Sequence, residues 1–109
     1  MFYIYKDLFS DEKSKNKIDD ICDAIKNNKF ILGVYCIILS TNANNLFDII
    51  NINELRFNFY HNTEIYIVGV SKGKKEAVNV VAEIAGKAAV EDNIHNIRSY
   101  FDKQSFNEL

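Results

Sequence analysis

Apolar residues in this chain recur at two spacings, and the two alternate along its length. Residues 2–6 form a short strand-like run. Ser10 then suits a helix cap, with Asp11 and Glu12 in the first turn, where the positive end of the helix dipole favours carboxylates. Ile18, Ile21, Cys22 and Ile25 fall at i, i+3, i+4 and i+7, a single apolar stripe on an otherwise charged helix that ends at Asn27-Asn28.

Residues 30–39 read as the strongest strand. Phe30, Leu32, Val34, Cys36 and Ile38 occupy one face, and Ile31, Tyr35, Ile37 and Leu39 the other. A strand apolar on both faces belongs in the interior of a sheet that is covered on both sides. The polar stretch 40–45 follows. Residues 46–60 fit two periods: Leu46, Ile49, Ile50, Asn53 and Phe57 suit a helical face, whereas Leu55, Phe57 and Phe59 alternate as in a strand. The length and the good helix formers favour a helix, with a hairpin as the alternative.

Residues 64–70 are a further strand with two apolar faces. They turn through Ser71-Lys72-Gly73-Lys74-Lys75 into an Ala/Val-rich helix over 76–89. Its apolar positions leave a narrow polar strip, so the helix is expected to be deeply buried or to form a subunit contact centred on Val81, Ala85, Ala88 and Ala89. Ile94, Ile97, Tyr100 and Phe101 predict a short closing helix.

This order predicts an α/β fold: a small βαβαβα domain with a mostly parallel sheet of three or four strands and flanking helices. Connections of about twenty residues favour parallel pairing with right-handed crossovers. A chain of 109 residues is one domain, residues 1–109, with a core that needs neither disulfide nor metal. Because the strands are apolar on both sides, either the strand order reverses and places helices on both faces, or a second subunit covers the open one.

Composition removes several function classes. A net charge of -2 without long runs of like charge argues against nucleic acid or an anionic membrane surface as a partner. No apolar stretch is long enough to span a bilayer, and the first residues lack the layout of a signal peptide, so the cytoplasm is the expected location. Ile, Asn and Lys supply 40 of the 109 residues, which points to an AT-rich, bacterial coding bias. Cys22 and Cys36 cannot form a metal quartet and read as small core residues.

In a parallel sheet the loops after the strands share one rim, the usual ligand edge of open α/β folds. That rim would hold Asp7 and Ser10, then Ser40, Thr41 and Asn42, then Ser71, Lys72, Gly73 and Lys74. Hydroxyls, cations and helix-start amides suit a phosphate or a carboxylate. The motif nevertheless departs from the P-loop, which needs two glycines four residues apart before Lys-Ser/Thr, and from the dinucleotide fingerprint. His61 precedes its strand and should lie about 20 Å from Ser71 at ~3.3 Å per residue. His95 should sit at that far rim too, so neither can act as base for those hydroxyls. No catalytic constellation, metal site or cofactor is expected. The leading expectation is a non-enzymatic binding or interaction module that self-associates as a homodimer or pairs with another protein. The alternative is a protein or small enzyme handling a small anionic ligand, a phosphate- or carboxylate-bearing metabolite, at the rim.

Overall fold

The computed structural model describes residues 1–42, 45–91 and 100–109. Strand β1 (Phe2–Ser10) leads through a 3-10 turn (Lys15–Lys17) to helix α1 (Ile18–Asn27). Strands β2 (Val34–Leu39) and β3 (Phe47–Asn51) follow, then a second 3-10 turn (Ile52–Arg56) and the one-turn helix α2 (Asn58–His61). Strand β4 (Ile65–Lys72), the long helix α3 (Lys74–Glu91), a last 3-10 turn (Lys103–Ser105) and strand β5 (Phe106–Glu108) complete the described chain.

One five-stranded sheet has the order β3-β2-β4-β1-β5. The fold is α/β, but the sheet is mostly antiparallel rather than mostly parallel. Only β1 and β4 pair in parallel; β2 is antiparallel to both of its neighbours, β3 and β4, and β5 is antiparallel to β1. The reason lies in residues 28–33. Ser10 pairs opposite Val70, and Val34 pairs opposite Lys72, so the chain re-enters the sheet at the end where β1 left it. Asn28 closes α1 in the left-handed conformation (φ 55°), its N–H donating to the Ala24 carbonyl, and Gly33 turns at φ 76°. A ten-residue helix and a returning loop use up the connection without crossing the sheet.

The two-faced strands behave as their pattern requires. β2 and β4 occupy interior positions, with α1 on one face and α3 on the other. Ile21 and Ile25 of α1 pack with Ile4, Cys36, Ile38, Ile65 and Ile67, together with Ile52 and Leu55 of the second 3-10 turn. On the opposite face Ala77, Val80, Ile84 and Ala88 of α3 cover Ile37, Val68 and Phe9, beside Tyr5, Phe101 and Phe106. Ile37 pairs with Gly69 and Ile38 with Ile67, so an irregularity at Val68-Gly69 shifts the β4 register. It places Gly69 beneath α3, where any side chain would press on Ile37 and Val80.

Several local expectations give way to pairing. β1 continues past residue 6 because Phe9 and Ser10 pair with Gly69 and Val70, so Ser10 ends a strand and α1 starts at Ile18. β2 begins at Val34, leaving Phe30 and Leu32 exposed. Residues 46–60 are not one helix. Phe47 to Asn51 pair residue by residue with β2, and the Asn51 side chain then accepts the Asn53 N–H and starts the 3-10 turn. Of the expected closing helix, Ile94 and Ile97 lie outside the described residues, as does His95; Phe101 is buried.

Candidate functional site

The reversal of β2 divides the expected rim between two ends of the sheet. Ser71, Lys72, Gly73 and Lys74 stand where β4 ends, and Ser40, Thr41 and Asn42 stand where β2 ends, beside the first residues of β4. The two sets do not meet.

At the β4 end the polar groups satisfy one another. Ser71 Oγ donates to the Gly73 carbonyl at 3.0 Å, and the Gly73 N–H donates to the Gly33 carbonyl at 2.8 Å. The Lys72 N–H donates to Asp11 Oδ2 at 3.2 Å, while its ammonium donates to the Leu32 carbonyl at 3.3 Å. Gly73 adopts φ 93°, a conformation natural to glycine, and its carbonyl accepts the Ala77 N–H as α3 starts. The hollow beside this turn is acidic, lined by Asp11, Glu12, Glu76 and Glu83. A phosphate near α3 would therefore face carboxylates as well as helix-start amides. Asp7 is exposed and lines a separate hollow with Leu8 and Cys22 on the α1 face.

At the other end lies a recess of about 300 Å³ on the α3 face. Tyr66, Phe101 and Phe106 form its walls, Ser40 and Thr41 border it, and Glu64 and Lys103 bring one charge of each sign. The rings interlock: Tyr66 meets Phe106 edge-on at 5.1 Å and stacks on Tyr3 at 5.0 Å, and Phe101 meets Tyr5 edge-on at 5.0 Å. Tyr66 donates its hydroxyl to Glu64 Oε2 at 3.2 Å. Burial, then this bond and the nearby carboxylate, raise the Tyr66 pKa, so the phenol stays protonated. The Ser40 hydroxyl serves the loop: it donates to Asp48 Oδ2 at 2.8 Å and accepts the Asn42 N–H at 3.0 Å. Sequence reasoning placed Ser40 and Thr41 in an anion rim with Ser71 and Lys72, and did not select Glu64, Phe101, Lys103 or Phe106 as site residues. Lys103 reaches the recess from the last 3-10 turn and Phe106 from β5, both three-residue elements too short to leave a periodic signal.

The expected α3 interface is rearranged. Ala88 is 0% exposed and belongs to the core, and Val81 and Ala85 are half-buried. Ala89 is exposed, with Val78 and Val90. The helix has one covered stripe and a broad solvated face. Larger exposed apolar groups lie off this helix: Met1, Leu32 and Phe59, and a set near the outer strand β3. Phe30 (64% exposed) and Phe57 (62%) line one surface hollow with Asn51, Asn53 and Arg56, next to the end of β3, and Leu46 (47%) stands at its beginning.

Among the described residues no group of three His, Cys, Asp or Glu is placed to hold a metal ion, and no helix is long and apolar enough to cross a membrane. His61 packs its ring against Phe2 at the opposite end of β4 from Ser71. No family model matches the chain, and neither the curated proteins nor the solved structures contain a match.

Proposed function

We propose that this protein is a small binding and interaction module that self-associates through the outer edge of β3. The observation that carries this reading is the character of that edge. β3 lies at the end of the strand order and pairs with β2 in an unbroken register over five residues. Natural edge strands are commonly blunted by Lys, Pro or a bulge. Phe47-Asp48-Ile49-Ile50-Asn51 has none of these, and its one charge, Asp48, is held by the Ser40 hydroxyl. The far edge, β5, is three residues long and carries Glu108.

A second copy suits this edge because its apolar groups sit at both ends. Antiparallel pairing of β3 with the same strand of a partner places the Leu46 end of each copy on the Phe30 and Phe57 hollow of the other. The contact is then isologous and closed, joining two sheets into one. This reading replaces the α3 face with the β3 edge as the proposed interface.

The test is solution mass by light scattering for the wild type and for the double variant Leu46→Lys, Phe57→Lys. Both positions are exposed, so the melting curve serves as the check that the fold survives. The expected result is a wild type at twice the 12.6 kDa of one chain and a variant at the single-chain mass. A monomeric wild type across the micromolar range, or a variant that keeps the doubled mass, overturns the reading.

A further inference from the structure

The recess between the end of β2 and β5 lies on the α3 face of the sheet rather than along the outer edge of β3, and its chemistry is more specific than a general apolar hollow. We infer that it is a binding site for a small zwitterion with an aromatic ring, an aromatic amino acid in free form. Three features lead there. The walls are the rings of Tyr66, Phe101 and Phe106, and Tyr66 and Phe106 are already edge-to-face, an arrangement that a further ring extends. The recess also brings together one carboxylate, Glu64, and one ammonium, Lys103. Glu64 is fixed by the Tyr66 hydroxyl and keeps acceptor capacity for a ligand ammonium. Lys103 is exposed, and the two ion pairs among the described residues, Lys15–Glu12 and Lys29–Asp23, do not involve it.

Size narrows the class. A volume of about 300 Å³ is at the small end of ligand sites and suits the ring of a one- or two-ring compound. A purely apolar ligand would leave both charges unused. A simple anion would gain Lys103 but meet Glu64. A zwitterion satisfies both, with its carboxylate at Lys103, its ammonium at Glu64 and its ring inside.

The experiment is a titration of isotope-labelled protein with L-phenylalanine, followed by amide chemical shifts. Benzoate and phenethylamine serve as half-ligands, and Lys103→Glu and Glu64→Gln as variants at exposed positions. The expected result is saturable shifts at Glu64, Tyr66, Phe101, Lys103 and Phe106, with each half-ligand binding more weakly than the amino acid. Each variant should weaken phenylalanine about tenfold, the effect of one charge-assisted contact. No saturable shift with any of the three compounds overturns the site. Unchanged phenylalanine affinity in Lys103→Glu overturns the carboxylate assignment, and benzoate binding as tightly as phenylalanine overturns the zwitterion. None of these three results bears on the β3 edge, whose test is the solution mass.

Discussion

Gly69 of β4 and Val80 of α3 stand so close that a Cβ on the glycine would lie 3.1 Å from Val80 Cγ1 and 3.0 Å from Ile37 Cδ1. The helix rests on the sheet at a position that has no side chain. Gly69→Ala forces Ile37 and Val80 aside in a close-packed core and should destabilise by about 1–3 kcal/mol. Gly86, in the exposed part of the same helix, has nothing within 4 Å of a built Cβ. Gly86→Ala should therefore stabilise by about 0.5–1 kcal/mol through helix propensity alone. Thermal melts of the two variants should move in opposite directions, and a shift of the same sign in both would refute this account of the α3 contact.

Asp11 joins distant parts of the chain: Oδ1 accepts the Ser14 N–H at 3.1 Å and Oδ2 the Lys72 N–H at 3.2 Å, 61 residues away. The Ser14 N–H also donates to the Asp11 backbone carbonyl at 3.2 Å and keeps that acceptor in a variant, so the loss falls chiefly on the Lys72 N–H. Asp11→Ala should cost about 0.5–2 kcal/mol in urea unfolding and speed hydrogen exchange at the Lys72 amide. Unchanged exchange at Lys72 would mean that the bond contributes nothing to the order of that turn.

Cys36 is fully enclosed, and burial pushes its thiol from the ordinary value of 9.0 up to about 12. The folded state keeps its proton where the unfolded state has lost it. The resulting stability is present in full below pH 9 and declines as pH rises from 9 towards 12, by at most about 1.4 kcal/mol per pH unit. Cys36→Ala should flatten the alkaline part of the stability profile. In native protein a thiol reagent should modify Cys22, which is half-buried, and spare Cys36 until urea is added. Equal labelling of both cysteines in the native state would contradict the packing of β2.

The Ser40 hydroxyl and the Asp48 carboxylate bridge the loop between β2 and β3 at 2.8 Å, and Ser40 is buried. Ser40→Ala leaves a half-buried carboxylate without that donor and should cost about 1–3 kcal/mol. Thr41, next in the chain, is exposed, and Thr41→Ala should stay within about 0.5 kcal/mol of wild type. Chemical denaturation of the pair separates a specific bond from a general loop effect.

How much of this was legible beforehand depends on the range of the interaction. The stripe of Ile18, Ile21, Cys22 and Ile25 marked α1 correctly, although the helix starts later than Ser10. The turn from Val70 through Gly73 into α3 was also readable, because a two-faced apolar run and an alanine-rich helix are local patterns. Residues 46–60 misled because Leu46, Ile49, Ile50 and Phe57 satisfy the helical period as well as the strand period. What decided the matter was pairing with β2, which periodicity does not record. The candidate site shared this fate. Ser40 and Thr41 were expected beside Ser71 and Lys72, but the residues around them are Glu64, Tyr66, Lys103 and Phe106, which come from other parts of the chain.

The sequence by itself determined which segments are amphipathic, which strands must be covered on both faces, and that the chain forms an α/β fold. These follow from side-chain spacing and from the cost of exposing apolar surface. Only the tertiary structure decided that β2 runs against β4, that β3 is the outer strand, and that the two halves of the expected rim lie apart. A backbone strand offers the same donors and acceptors to a parallel or an antiparallel neighbour. Strand direction is therefore set by where residues 28–33 return the chain, and by which faces meet when the whole core closes.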